Sequence, residues 1–449
     1  MALDSLQRAF LGLPIVSVAI FALPSSSFIR YALYPIPAVL MLQAAIQPPT
    51  KDNDVEDTYL FGLFTSALAL RLFDYLYLQG YDTPKHFFRV QQVGKVKQQL
   101  EYPQSLWGRI KWGFLLLVSQ RGIGWNFEVS VPSTKYPPTR TAFLRQAVFV
   151  LLQIYLGLYL TGALYDFMTR VIRQEISVAE YPWVYDLCKN EVSQMVIILL
   201  GWVITIISHI SVLYNIAGIV CVGLGFGGFW KEPTSWPRTF GRLRDTWSIR
   251  SVWGKSWHQS LRRCLNAPGD RIADIIFGDP SQLSYSVRLI RRYFLLFSAF
   301  AWSGIIHAGG VYFVTVTNPV PFKDSTPVSS RPAWYVSGYF FYVQAVAVTL
   351  EDFIMWLFGI STEEKEVQKR PVRRFLGTVY TFAWFIWSTT ALWVEPQLLS
   401  FGYKRLGDEG MGYIHILEAV SKGTAAVPLN PWPAIIDGAL LLYQRYSKV

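Results

Sequence analysis

Two histidines stand out as groups able to do chemistry. His307 sits inside a long apolar segment, in Phe300-Ala301-Trp302-Ser303-Gly304-Ile305-Ile306-His307-Ala308-Gly309-Gly310. His258 lies in a basic, tryptophan-rich loop upstream, Trp253-Gly254-Lys255-Ser256-Trp257-His258-Gln259. An imidazole exchanges a proton near neutral pH. An ionisable side chain at membrane depth is costly, so it ordinarily faces a cavity or a partner. The pair points to proton transfer beside a bilayer, on a substrate that prefers oil. The small residues around His307 permit close helix approach or leave room for a ligand channel. A histidine simply hydrogen-bonded to a neighbouring helix is the competing reading.

Other polar groups in apolar runs serve as comparisons. His209, between Ser208 and Ile210, has no glycine-rich setting and no basic aromatic loop, and reads as a packing or pore-lining residue. His86 and His415 read as solvated loop residues. Glu351 and Asp352 interrupt an apolar run and need partners there. Either one of them orients a catalytic imidazole, as the third member of a relay does, or they pair with basic residues of a neighbouring helix. Arg71 and Asp74, at i and i+3, are expected to pair within their own helix.

The elements that must hold these groups are membrane helices. Of 449 residues, 52% are hydrophobic and only 16% charged, where a soluble chain carries about a quarter charged. Several apolar runs reach the roughly 20 residues that a helix needs to cross a bilayer, and they lack the alternation of barrel strands. Spans are expected near 8–24, 29–47, 58–79, 142–165, 193–210, 211–229, 293–316, 334–359 and 374–396. A shorter run near 432–444 would be a tenth span or an interfacial helix. The expectation is an all-α polytopic membrane protein of about nine or ten helices, a single integral domain over 1–449. The first apolar stretch, Phe10 to Leu23, reads as a retained span rather than a cleaved signal.

The net charge is +11, from 41 Lys+Arg against 30 Asp+Glu. The longest polar connection, about 230–292, is also the most basic, which assigns it to the cytosol. With no basic soluble domain to carry it, nucleic acid is not an expected partner. Cys188, Cys221 and Cys264 form neither a disulfide framework nor a zinc pattern. Within the basic loop, Trp253, Trp257 and Leu261 recur every four residues, which predicts one face of a helix lying among lipid headgroups. His258 would then point about a hundred degrees from that stripe. Arg250, Lys255, Trp257, Gln259 and Arg262 are candidates to hold a nucleotide-bearing donor, because guanidinium and ammonium groups pair well with the phosphates of coenzyme A. No Gly-x-Ser-x-Gly elbow, Walker loop or zinc motif is present. Direct transfer with a general base is therefore expected, without metal.

The segment from Pro233 through Trp257-His258-Gln259 to Arg262, together with Ser303-Gly304-Ile305-Ile306-His307, resembles the membrane-bound O-acyltransferases, and most their wax-synthase-like branch. Arg121-Gly122-Ile123-Gly124-Trp125-Asn126 is similar to a stretch of fungal members. Val252 stands where the family often has Phe, and His258 where more distant relatives have Asn. The resemblance implies helices around a central reaction chamber and an acyl-CoA:alcohol O-acyltransferase of the endoplasmic reticulum. In it His307 is the general base and His258 a supporting polar residue. Fungal members of the branch acetylate terpenoid or meroterpenoid hydroxyls, so the resemblance implies acetyl-CoA as cosubstrate and a hydrophobic alcohol as acceptor, with no obligate protein partner. Trp302, Ser303 and Glu351 are assigned to the substrate.

Three rival functions fit parts of the sequence. One is a long-chain wax-ester or sterol acyltransferase. Another is a membrane prenyltransferase or terpene cyclase, using Asn53-Asp54-Val55-Glu56-Asp57 and Asp270-Arg271-Ile272-Ala273-Asp274 to hold Mg²⁺-diphosphate. The third is a proton-coupled transporter, with the intramembrane His and Glu-Asp groups as a relay.

Overall fold

A computed structural model describes residues 4–24, 27–47, 55–78, 83–93, 96–129, 139–225, 228–317, 333–360, 367 and 370–400. The 432–444 run, His415, Asn53 and Asp54 lie outside the described residues. The helices are α1 (Ser5–Ala22), α2 (Phe28–Leu33), α3 (Ile36–Ile46), α4 (Val55–Leu72), α5 (Thr83–His86), α6 (Leu106–Val118), α7 (Arg140–Ile172), α8 (Pro182–Lys189), α9 (Glu191–Leu224), α10 (Ile249–Ser251), α11 (Arg262–Phe277), α12 (Tyr285–Thr317), α13 (Ala333–Leu357) and α14 (Pro371–Thr389). One antiparallel hairpin, β1 (Val90–Val93) and β2 (Val96–Gln99), interrupts the helices, with Val90 opposite Gln99. The chain is an all-α polytopic membrane protein. Among the described residues seven helical segments are long and apolar enough to cross a bilayer: Ser5–Ala22, Phe28–Ile46, Thr58–Leu78, Arg140–Ile172, Glu191–Leu224, Tyr285–Val316 and Tyr335–Leu357.

Two expected spans, 193–210 and 211–229, are one helix. No Gly or Pro lies between Trp202 and Ala217 to end a helix there. His209 is exposed and bonds back to the Thr205 carbonyl through Nδ1 at 2.8 Å, so its own helix satisfies it. The helix stops at Gly225, whose left-handed φ of 66° suits glycine. Residues 374–396 form α14 and a π-helical turn, Thr390–Val394, and are not among the seven apolar segments.

The chain divides into two compact units. One comprises Met1–Ser133 and Phe240–Val379, the other Thr134–Thr239 and Tyr380–Val449. In the second unit α7 packs along α9, and the Tyr165 hydroxyl donates to the Ile197 carbonyl at 3.0 Å. In the first unit α12 packs against both α13 and α4. That unit contains both candidate histidines.

The expected Arg71–Asp74 pair gives way to longer-range partners. Beyond Leu72 the helix widens into a π-helical turn, Phe73–Leu78, which changes the register of Asp74 relative to Arg71. Asp74 accepts from Arg263 Nε at 2.9 Å, and Arg71 donates to the Leu117 carbonyl at 2.8 Å.

Candidate active site

Two adjacent carboxylates on α13 fix the loop that carries His258. Glu351, 5% exposed, accepts from the backbone N–H of Ile249 at 2.9 Å and of Arg250 at 3.0 Å. These N–H groups open α10, where no preceding carbonyl serves them, and a carboxylate suits such a helix start. Asp352 receives Arg250 through Nε at 2.7 Å and through a second guanidinium nitrogen on its other oxygen. Arg292 at 3.0 Å and the Tyr293 hydroxyl at 3.1 Å share that oxygen. Asp352 thus takes the ion-pair role. A substrate hydroxyl at Glu351 would compete with two backbone donors, and a coenzyme phosphate at Arg250 with Asp352.

The predicted headgroup helix over Trp253, Trp257 and Leu261 does not form. After α10 the chain makes a π-helical turn, Val252–Ser256, and leaves it extended at Trp257 (φ −69°, ψ 157°). The Trp257 N–H closes onto the Val252 carbonyl at 2.7 Å. Gln259, 4% exposed, braces the exit by donating to the Trp257 carbonyl at 2.8 Å. With the helix broken, Trp253 turns inward. Its ring meets Phe300, Phe340 and Phe341 at centroid distances of 5.4, 6.4 and 6.2 Å. Its Nε1 donates to Gln344 Oε1 at 3.4 Å. An indole with an apolar body and a donor tip is well served by such a buried amide. Trp257 packs on Trp253 at 5.9 Å and on His258 at 5.6 Å, with Phe240 against Trp257 and His258 at 5.6 and 5.9 Å.

His258 Nδ1 is shielded from solvent and finds no hydrogen-bond partner among the described residues. Burial pulls this imidazole down to about 4, so the ring is neutral at physiological pH.

His307 projects from the C-terminal half of α12. Its Nδ1 lies 3.1 Å from the Tyr59 hydroxyl, and its ring stacks on buried Phe341 with centroids 4.9 Å apart and planes 23° apart. A continuous run of rings, His307–Phe341–Trp253–Trp257–His258, therefore links the two histidines. The small residues around His307 serve close helix approach. A Cβ on Gly310 would stand 2.7 Å from the Tyr59 ring, and one on Gly304 would stand 3.1 Å from Gly338 Cα. His307 is half-buried.

Of the other predicted site residues, Ser303 precedes His307 by one turn on the same helix face, and both Ser303 and Trp302 are half-buried. Lys255 lies in the π-helical turn. Arg262 donates to Gln259 Oε1 at 3.3 Å and lines a cavity of about 250 Å³ with Phe127, Glu128, Arg263, Asn266 and Asp270. Asp274, of the Asp270–Asp274 motif, pairs with Arg291 at 2.7 Å. The site also draws in Tyr59, Phe341 and Gln344, which sequence reasoning missed. Each is an ordinary residue of an apolar span, and no spacing rule singles it out.

The family model described as Membrane bound O-acyl transferase family matches residues 236–323, from the start of the basic loop to beyond His307. An acetyltransferase of Arthrobotrys oligospora is 48% identical over 434 residues, covering 96% of this chain and 89% of the relative. An O-mevalon transferase of Penicillium terrestre is 31% identical, covering 93% of this chain and 90% of the relative. A second O-mevalon transferase, of Aspergillus niger, is 30% identical with the same coverage of 93% and 90%. No solved structure matches.

Proposed function

Because this chain belongs to the membrane bound O-acyl transferase family and is an O-acyltransferase, we propose that it acetylates a hydroxyl of a hydrophobic terpenoid or meroterpenoid alcohol from acetyl-CoA, as a multi-pass protein of the endoplasmic reticulum. The observation that carries this reading is the run of rings joining His258 and His307 in one compact unit. The acetyl group is favoured by the name of the 48%-identical relative.

His307 takes the hydroxyl proton as the alcohol oxygen adds to the thioester carbonyl. The new C–O bond forms, the C–S bond breaks, and the imidazolium returns its proton to the departing thiolate of coenzyme A. Charge gathers on the carbonyl oxygen in between. A neutral His258 is suited to donate a hydrogen bond there, and one such donor contributes about 3–4 kcal/mol in acyl transfer. The aromatic lining excludes water, which strengthens that contact and limits hydrolysis of the thioester. Lys255 and Arg262 are the cations assigned to the coenzyme phosphates, since Arg250 is engaged by Asp352.

The test is to incubate membranes containing the protein with labelled acetyl-CoA or palmitoyl-CoA and a panel of farnesol, ergosterol and a polycyclic terpenoid alcohol. Acetyl transfer to a terpenoid alcohol is expected. Preferential palmitoyl transfer would favour the wax-ester or sterol alternative. Mg²⁺-dependent consumption of an allylic diphosphate without acyl transfer would overturn the reading.

A further inference from the structure

We infer that Tyr59 is a positioning residue that sets the tautomer of His307, its phenolic oxygen accepting the Nδ1–H so that the ring's lone pair lies on Nε2. The inference rests on the reading of His307 as general base. A neutral imidazole carries one proton, and the partner of one nitrogen decides which nitrogen holds it. The contact that decides it here is the 3.1 Å approach of the Tyr59 hydroxyl to Nδ1. A phenol both donates and accepts. If it donated to Nδ1, the proton would sit on Nε2 and that nitrogen would have no lone pair for a substrate hydroxyl. Acceptance by Tyr59 leaves Nε2 basic. It also gives the imidazolium formed during transfer a fixed partner for Nδ1–H.

The contact is built into the meeting of α4 and α12. Gly310 follows His307 by three residues and shares its helix face. A Cβ there would lie 2.7 Å from both Cδ2 and Cε2 of Tyr59 and 3.0 Å from its carbonyl oxygen. Across the interface, a Cβ on Gly62 would lie 3.0 Å from the Gly309 carbonyl oxygen and 3.1 Å from Gly310 Cα. Glycine on both helices thus lets the backbones close until the phenol ring lies over Gly310 and its hydroxyl reaches the imidazole. A side chain at either position would push Tyr59 away from the ring it serves.

Three measurements test this. Tyr59→Phe keeps the ring over Gly310 and removes only the oxygen. It is expected to lower kcat for acetyl transfer by about 10- to 100-fold, the usual loss when an orienting partner of a functional histidine is removed, with KM for acetyl-CoA unchanged. Gly310→Ala should give a similar loss with Tyr59 intact, and the double variant should be no worse than either single one, since both remove the same hydrogen bond. The third readout needs no substrate. In protein labelled with ¹⁵N-histidine, the His307 signal, assigned by its disappearance in His307→Gln, should show a protonated Nδ1 and an unprotonated Nε2, and Tyr59→Phe should shift that balance. A protonated Nε2 in the unsubstituted protein, a wild-type kcat in Tyr59→Phe, or losses that multiply in the double variant would each overturn the inference. Activity surviving in His307→Gln would instead remove the base on which it rests.

Discussion

Arg250 and Asp352 form a two-point ion pair, with Nε 2.7 Å from Oδ1 and a second guanidinium nitrogen on Oδ2, while the Arg250 backbone N–H donates to the neighbouring Glu351. The loop carrying His258 is thereby fastened to α13, which also supplies Phe341, the ring stacked on His307. That helix braces the loop of one histidine and stacks a ring on the other, so changes at its carboxylates should reach the chemistry without touching substrate.

Glu351→Ala leaves two N–H groups at the start of α10 without their carboxylate. A loss of about 1–3 kcal/mol of stability is expected, the cost of stranding buried donors. Glu351→Gln keeps one carbonyl acceptor and should lose less. Denaturation in detergent micelles, run beside acetyl transfer, measures both. An alanine variant as stable and active as the parent would show that the loop is held elsewhere.

Arg250→Ala separates a fastening role from a phosphate-binding one. With Asp352 as its partner, the variant should lose stability while KM for acetyl-CoA stays within about twofold, because uniform binding of the donor is untouched. Arg262→Ala, in the lining of the 250 Å³ cavity, should raise KM about tenfold by removing a coenzyme phosphate partner, a charge-assisted contact of about 1.5 kcal/mol. A tenfold KM rise on Arg250→Ala would return the phosphate to that residue.

Much of this organisation was legible from residue types. Apolar length identified the membrane helices, and the basic, aromatic loop and the intramembrane histidine are joined by one run of rings. The departures have physical causes. The spans expected near 193–210 and 211–229 are one helix, because only a residue that breaks the helical backbone would have ended α9 between them. Four-residue spacing placed Trp253, Trp257 and Leu261 on a helix face, but helical periodicity carries no sign of a π-helical turn, and that turn sends Trp253 inward. Glu351 and Asp352 need partners inside an apolar run, but the choice between imidazole and arginine depends on a contact across about a hundred residues of sequence. Tyr59 left no trace in the sequence, since its role comes from a glycine on another helix, 251 positions on by the numbering of Tyr59 and Gly310.

Stability should depend on pH through His258. Burial pulls its folded-state pKa from 6.5 down to about 4, so the unfolded chain takes up a proton at a pH where the folded chain does not. The resulting stability is fully present above about pH 6.5 and is lost as the pH falls toward 4. The melting temperature in detergent should therefore drop across that interval, and drop less in His258→Asn. An equal acid dependence in both proteins would mean that His258 is not held neutral by burial.

Phe341→Leu keeps most of the buried volume and removes the ring stacked on His307. An aromatic pair is worth about 0.5–1.5 kcal/mol beyond its buried area, so a loss of kcat of about 2- to 10-fold is expected with little change in expression. Unchanged kcat would show that the stack does not orient the imidazole.

The central claim is that His307 removes the proton from the acceptor alcohol. The direct measurement is acetyl transfer by purified His307→Gln protein, which retains a polar side chain of similar reach, alongside its melting temperature. The expected result is a fall in kcat of at least about 100-fold, the contribution of a positioned general base, with the melting temperature unchanged. Turnover by a folded His307→Gln protein within a few-fold of the parent would contradict it.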